Sequence, residues 1–192
     1  EIRIIHLKGN NLFTVLIELC KYIQKLKPWA IISFMEFNNI ISIIAKLITR
    51  TRTKFIVTVH SVLSIAKYES NNLNFILPIY LSKYLYPLAN GIVVVSQGVV
   101  DDLIHSIGIK NTRLEVINNP ISVENIQIES NKSTNHPWLL NNIVPVILGV
   151  GNFKKSKDFI TLIKAFKIVT HIVNSRLIIL GDGDEMLNIK RL

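Results

Sequence analysis

The sequence predicts an α/β fold with parallel sheets, spread over two domains that are both incomplete. Three observations carry that prediction. Short apolar runs of the kind buried on both faces of a parallel sheet recur along the chain, at Phe55–Val59, Ile92–Val95, Val146–Val150 and Arg176–Leu180. The stretches between them repeat apolar residues at helical spacing and have ordinary crossover length. The alternation fails once, from Asn118 to Asn142, where Pro120, Pro137 and clusters of Asn and Ser replace it. The expected boundaries are a partial first domain over residues 1–118, a linker over 119–143 and the start of a second domain over 144–192. The second piece holds too little core to stand alone.

In chain order, Ile2–Leu7 reads as a short strand. Leu12, Val15, Leu16, Leu19, Ile23 and Leu26 then fall on one helical stripe, which Pro28 closes. Trp29–Phe34 is a second strand, Ile40–Ile48 a very apolar helix, and Phe55–Val59 a β-branched strand ending at His60. Asn71 and Asn72 mark a loop before a helix over Leu73–Leu88, with a kink expected at Pro78. Ile92–Val95 is a buried strand. Ser96 is placed to cap a helix over Gln97–Ile107, with Asp101 and Asp102 near its start and Gly108 as its stop. Leu114–Ile117 is a strand, and one short helix is expected around Trp138 inside the linker.

The stretch Val146–Val169 organises the remainder. A buried strand turns through Gly149 and Gly151, where the missing Cβ lets another group approach the backbone. Lys154, Lys155 and Lys157 follow. A helix then begins, with Phe159, Leu162, Ile163, Phe166 and Val169 on one face. A helix N-terminus carries partial positive charge, so cations there are disfavoured by roughly 0.3–1 kcal/mol each. Three lysines crowd that end with only Asp158 to balance them. An anion held by backbone N–H groups and a lysine accounts for them, and so do three solvated surface lysines in a turn. Arg176–Leu180 is the last strand, followed by the turn Gly181-Asp182-Gly183-Asp184 and the start of a helix at Glu185.

Composition narrows the partners. The 192 residues include 22 Lys plus Arg against 13 Asp plus Glu, a net charge of +9, which favours an anionic partner. Richness in Ile, Asn and Lys along the whole chain makes part of that charge a compositional bias. The lone Cys20 implies no disulfide and suits a reducing compartment. The start reads as a charged strand rather than a signal peptide, and no stretch reaches the ~18 apolar residues of a spanning helix.

Ligands of open parallel sheets bind outside the carboxyl ends of the strands, and five places there qualify. The loop Gly149–Lys157 is the first. His60 is the second, either a partner for a substrate hydroxyl or a loop histidine bonded to nearby backbone. Gly181-Asp182-Gly183 is the third, a close-approach loop or a plain strand–helix turn. Ser96-Gln97-Gly98 reads better as a cap, and Asn118-Asn119-Pro120 as a domain-boundary turn. Zinc spacing, a G-x-G-x-x-G loop and a Walker A loop are all missing, and the aromatics are not interleaved with basic residues as a nucleic-acid groove requires.

Taken together, IVVVSQGVVDDLI, LEVINNPIS, HPWL, VILGVGNFKKSKDFITLIKAF and RLIILGDGDEM, in that order, resemble retaining glycosyltransferase family 4. The resemblance implies the GT-B fold: two Rossmann-like domains facing across a cleft, with a nucleotide-sugar on the second and the acceptor on the first. It implies that Gly151, Asn152 and Lys157 lie at the donor diphosphate, and that His60 is catalytic and faces the transferring sugar. Gly181, Asp182 and Gly183 become a donor-side loop. No cofactor or metal is implied, because basic side chains and a helix N-terminus stabilise the leaving phosphate. The implied partners are a nucleotide-sugar donor, a saccharide or lipid-linked acceptor and an anionic membrane surface, with no nucleic acid. The implied place is cytoplasmic, peripheral on the inner face of the membrane. Asn152 stands where the family carries Arg, which removes a bidentate phosphate partner. The family's paired glutamates fall beyond Leu192 and its opening glycine loop before Glu1, so this chain alone is expected to be inactive. The alternatives are a non-catalytic nucleotide- or phosphate-binding module and a basic membrane-surface protein.

Overall fold

The computed structural model describes residues 4–7, 11–70, 72–110, 113–140 and 143–192. The chain divides into two compact units, Glu1–Pro120 and Ile121–Leu192, each built on its own parallel sheet.

The first unit holds a four-stranded sheet in the order β1-β2-β3-β4, made of β1 (Ala30–Phe34), β2 (Lys54–Val59), β3 (Gly91–Val94) and β4 (Leu114–Val116). All pairs are parallel, with Ala30 beside Lys54, Ile56 beside Gly91 and Ile92 beside Leu114. Phe55, Val57 and Val59 of β2 and Ile92 and Val94 of β3 are fully buried. The alternate residues of β1, Ile32 and Phe34, remain exposed on the opposite face, so one side of the sheet carries the core.

The helices on that side follow from their apolar stripes. Helix α1 (Leu12–Leu26) is opened by a reciprocal cap between Asn11 and Thr14 and closed by Lys27 in the left-handed region at φ 46. Its Leu16, Leu19, Cys20 and Ile23 pack against Ala45 and Phe55. Helix α2 (Glu36–Thr49) places Ile40 and Ile43 in the main core with Val57, Val59, Ile79, Tyr86 and Leu103. Helix α3 (Leu63–Glu69) is followed by α4 (Leu73–Leu85), which carries Pro78 in its interior and tightens into a 3₁₀ turn at Tyr86–Leu88. Helix α5 (Gln97–Asp101) widens into a π-turn run over Asp102–Ile107 and stops at Gly108, φ 80.

The second unit begins with α6 (Val123–Ser130) and α7 (Pro137–Leu140). Strands β5 (Val146–Val150) and β6 (Arg176–Leu180) pair in parallel over their whole length, flanked by α8 (Phe159–Thr170) and α9 (Met186–Lys190).

The structure departs from the sequence reading in several places. Of the strand expected at Ile2–Leu7, Ile2 and Arg3 lie outside the described residues, and residues 4–7 join no strand. Helix α2 begins at Glu36, four residues before the first clear apolar repeat, because Met35 reverses the chain with φ 74. Helix α3 has no counterpart in the sequence pattern. Its first turn is held from afar: buried Asp102 accepts a hydrogen bond from Ser64 N at 3.2 Å. Asp102 thus caps a neighbouring helix as well as beginning the π-turn run. Ser96 is the N-cap residue of α5, yet its side chain makes no capping bond; its carbonyl accepts from Val99 and Val100. The region expected to contain one short helix carries α6 as well as α7.

Candidate functional site

The carboxyl ends of the strands are where the chemistry-bearing side chains collect, and each unit has its own set.

In the second unit, β5 and β6 end together at Val150 and Leu180, and the two loops that follow are bonded to one another. Gly151 N donates to Leu180 O (3.0 Å), Phe153 N to Asp182 O (2.8 Å), and Glu185 N to Phe153 O (2.9 Å). Phe153 and Phe159 are buried and meet edge to face, centroids 5.2 Å apart, which anchors the loop to α8. Gly149, Gly151, Gly181 and Gly183 are required to very different degrees. A Cβ on Gly181 would lie 1.9 Å from Gly151 O, and one on Gly183 would lie 2.7 Å from Phe153 O. On Gly149 it would touch Leu162 and Phe159 at 3.2 Å, which is how closely α8 lies on the strand. On Gly151 it would meet nothing closer than Phe159 at 3.5 Å, an ordinary contact. The Gly181-Asp182-Gly183 loop therefore uses its missing side chains to receive the backbone of residues 151–153. Gly151 has no such need within its own unit.

Lys155–Lys157 form a 3₁₀ turn ahead of α8, so the lysines precede the helix rather than occupy its first turn. Asp158 follows in the left-handed region (φ 44, ψ 48), and its carboxylate accepts from Thr161 N at 3.2 Å. This charge sits where it complements the helix end. Lys154, Lys155, Lys157 and Asn152 are exposed. Among the described residues no acceptor meets the backbone N–H of Asn152, Phe159 or Ile160. The result is a loop with open N–H donors and three exposed cations at one strand end, suited to a phosphate.

In the first unit, β2 delivers His60. Its Nε2 lies 3.1 Å from Thr58 Oγ1, and its ring rests against Phe34 with centroids 5.6 Å apart. Beside it Ser61 Oγ donates to Glu36 Oε1 at 3.3 Å. Beneath it lies a buried polar network. Thr58 Oγ1 donates to Ser33 O (2.8 Å), Ser33 Oγ to Asn39 Oδ1 (2.7 Å), and Asn39 Nδ2 to both Thr58 O (2.8 Å) and Tyr86 Oη (3.1 Å). Burial, and to a lesser degree the charge of Glu36, push the Tyr86 hydroxyl well above its ordinary pKa, against the Asn39 hydrogen bond, which lowers it. Sequence reasoning did not find Ser33, Asn39, Thr58 or Tyr86; Asn39 within an apolar helix stretch was the available signal, since a buried amide needs partners. Asn118 turns back to donate to Val95 O at 2.9 Å, a structural bond at the end of β4.

Among the described residues no three His, Cys, Asp or Glu side chains gather as a metal site, and no helix is long and apolar enough to cross a membrane. The structure brings Gly151, Asn152, Lys157, Gly181, Asp182 and Gly183 into one loop cluster, while His60 belongs to the other unit.

Comparison with known proteins agrees with this layout. Residues 2–125 match the family described as Glycosyltransferase Family 4. A curated relative, N-acetylgalactosamine-N,N'-diacetylbacillosaminyl-diphospho-undecaprenol 4-alpha-N-acetylgalactosaminyltransferase of Campylobacter jejuni, is 30% identical over 158 residues, 80% of this chain and 40% of the relative. Among solved structures, the apo form of the lipopolysaccharide outer core galactosyltransferase WaaB superposes with a TM-score of 0.57 at 16% identity, covering 94% of this chain and 44% of WaaB. That likeness places the fold in the GT-B class, of which these two parallel-sheet units form a part. The chain thus spans less than half the length of both proteins.

Proposed function

This chain belongs to Glycosyltransferase Family 4, and from that premise we propose that it is part of an enzyme transferring a sugar from a nucleotide-diphosphate sugar to an acceptor. The first unit takes the acceptor side and the second begins the donor side. The observation that carries this reading is the β5–α8 loop, with its open N–H donors and three exposed lysines at a strand's carboxyl end.

Transfer proceeds with retention of configuration. As the bond from the anomeric carbon to the diphosphate oxygen lengthens, negative charge builds on the departing diphosphate. Asn152 N–H, the first amides of α8 and Lys157 stabilise that charge. Asn152 brings no guanidinium to this position, so Lys154 and Lys155 supply the further positive charge. These groups stand in for a divalent cation, and no metal enters the reaction. Gly181-Asp182-Gly183 supports the reaction by bracing the loop. His60 is the catalytic residue that contacts the transferring sugar. The Campylobacter relative's name specifies a diphospho-undecaprenol acceptor, which supports a lipid-linked saccharide as the acceptor here.

A lipid-linked acceptor places the protein at the inner face of a membrane, and the first unit carries a surface suited to it. Leu73, Leu77, Tyr80 and Tyr84 recur at i, i+4, i+7 and i+11 along α4, and all are exposed. Lys67 Nζ lies 3.9 Å from the Tyr80 ring centroid and Lys83 Nζ 6.0 Å from that of Tyr84. Helix α4 carries apolar side chains, tyrosines and Lys83 with no acidic residue, and Lys67 reaches it from α3, a combination that matches the boundary of an anionic bilayer. Helix α1, with its exposed Lys21 tied to Glu18 at 2.9 Å, offers less.

Calorimetric titration of the chain with nucleoside diphosphates tests the proposal. Binding that Lys157→Ala weakens by about 1.5–3 kcal/mol, the range for hydrogen bonds to charged groups, supports it. Unchanged affinity in the variant refutes the anion site.

A further inference from the structure

The hydrogen bonds around His60 bear on which of its nitrogens carries the proton. Thr58 is buried, and its hydroxyl has a single hydrogen. Among the described residues two atoms could take that hydrogen, Ser33 O at 2.8 Å and a bare His60 Nε2 at 3.1 Å; Ser33 O is a carbonyl that cannot donate in return, so the shorter contact is a hydrogen bond only when the hydrogen points to it. The Thr58 oxygen is therefore left as an acceptor. His60 Nε2, 3.1 Å away, must be the donor. Among the described residues nothing bonds to His60 Nδ1.

We propose that Thr58 is a positioning residue that holds His60 in its Nε2–H tautomer, leaving a bare Nδ1 that accepts a hydrogen bond from a ligand hydroxyl at the carboxyl edge of the first sheet. The hold is rigid for three reasons. Thr58 is β-branched, with few χ1 choices. Its carbonyl is tied to Asn39, which is itself tied to Ser33 and Tyr86. The Phe34 ring braces the other side of the imidazole. A neutral imidazole set this way selects a donor: a sugar hydroxyl fits, whereas a carbonyl or phosphate oxygen faces lone pair against lone pair. The choice of a sugar hydroxyl rests on the proposed glycosyltransferase reading; the tautomer rests on the hydrogen bonds alone.

The test separates the two. Long-range ¹H–¹⁵N spectra of the ¹⁵N-labelled chain, with His60 neutral, are expected to show a protonated Nε2 and a bare Nδ1. Thr58→Ser keeps that pattern, and Thr58→Val, which removes the acceptor at nearly constant volume, changes the Nε2 signal and admits the other tautomer. A protonated Nδ1 in the wild-type chain, or Thr58→Val spectra identical to wild type, overturns the proposal. Turnover of the full-length protein supplies the second arm: Thr58→Val is expected to lower kcat about 2- to 13-fold, one neutral hydrogen bond's worth, at unchanged KM, with Thr58→Ser restoring it. A kcat insensitive to both Thr58→Val and His60→Ala refutes the sugar-facing role of His60, while the spectra still decide the tautomer.

Discussion

Gly181 and Gly151 both sit just after a strand, and the structure requires opposite outcomes when each is changed to alanine. At Gly181 the new Cβ would lie 1.9 Å from Gly151 O and 2.7 Å from Phe153 Cε1. The first contact is with backbone, so no rotamer change relieves it. The loops must separate, which strains Gly151 N to Leu180 O and Phe153 N to Asp182 O. Overpacking of this kind costs about 1–3 kcal/mol, occasionally more. At Gly151 the added Cβ meets Phe159 at 3.5 Å, and the residue has no left-handed φ. Alanine there is tolerated, and restricting the unfolded chain favours the fold by about 0.4–1 kcal/mol. Native-state hydrogen exchange at the Phe153 and Glu185 amides, present in both variants, reads the difference locally. Gly181→Ala is expected to speed exchange roughly 5- to 150-fold, the kinetic equivalent of that cost. Gly151→Ala leaves exchange unchanged or slower while weakening nucleoside-diphosphate binding, because the methyl group enters the space a phosphate would use. Equal protection in wild type and Gly181→Ala, or equal loss in both variants, would refute the assignment of one glycine to packing and the other to the ligand.

Four further outcomes follow from named contacts. Asp158→Ala loses both a left-handed residue type and the cap on Thr161 N, and should cost about 1–3 kcal/mol in chemical denaturation; Asp158→Gly restores the backbone conformation and should cost only a few tenths of a kcal/mol. The Tyr86 hydroxyl is held protonated in the folded chain, so above roughly pH 10 the unfolded chain releases its proton first and stability falls as pH rises. Tyr86→Phe should flatten that alkaline limb relative to wild type, and parallel pH curves would count against it. Asn39→Leu takes a partner from Ser33 Oγ, Thr58 O and Tyr86 Oη together, leaving Ser33 Oγ only the long contact to Ile56 O at 3.5 Å, and a loss below about 1 kcal/mol would show that the network is not a unit. Leu77→Glu with Tyr84→Glu should abolish co-sedimentation with anionic vesicles, and unchanged salt-sensitive binding would move the membrane surface elsewhere.

How much of this the sequence disclosed depends on the range of the interactions involved. The strands were legible because each is written as a continuous apolar run, as in Phe55–Val59 and Val146–Val150, although the structure buries only the first of these and leaves Leu148 and Val150 of the second exposed. Helix ends set by local residues were legible too, such as Pro28 after α1 and Gly108 after α5. What escaped depends on distant partners. Helix α3 takes a cap from Asp102, 38 positions away in sequence. Helix α2 starts directly after Met35, whose positive φ no local rule anticipates. In the candidate site, the loop and its lysines were visible as a cluster of residue types, and His60 as the end of a strand. The groups that orient His60 were not, since Ser33, Asn39, Thr58 and Tyr86 come from two strands, a helix and a 3₁₀ turn.

The three lysines illustrate why residue type and position must be weighed together. In the sequence they crowd a helix start, which invites an anion to offset their cost. In the structure they lie one turn earlier, and Asp158 has taken the capping place with its own carboxylate. The helix end already has a compensating charge and a cap on Thr161 N, so an anion is not needed to offset the lysines. A diphosphate must instead be drawn by what remains open: the Asn152, Phe159 and Ile160 amides and cations long enough to reach them. Asp158 opposes that binding through its charge. Asp158→Gly should therefore tighten nucleoside-diphosphate affinity while Lys157→Ala weakens it, and the two changes together should combine with little interaction if each acts on the phosphate alone. A tighter Asp158→Gly variant whose gain disappears in the Lys157→Ala background would instead mean that Asp158 acts by restraining Lys157.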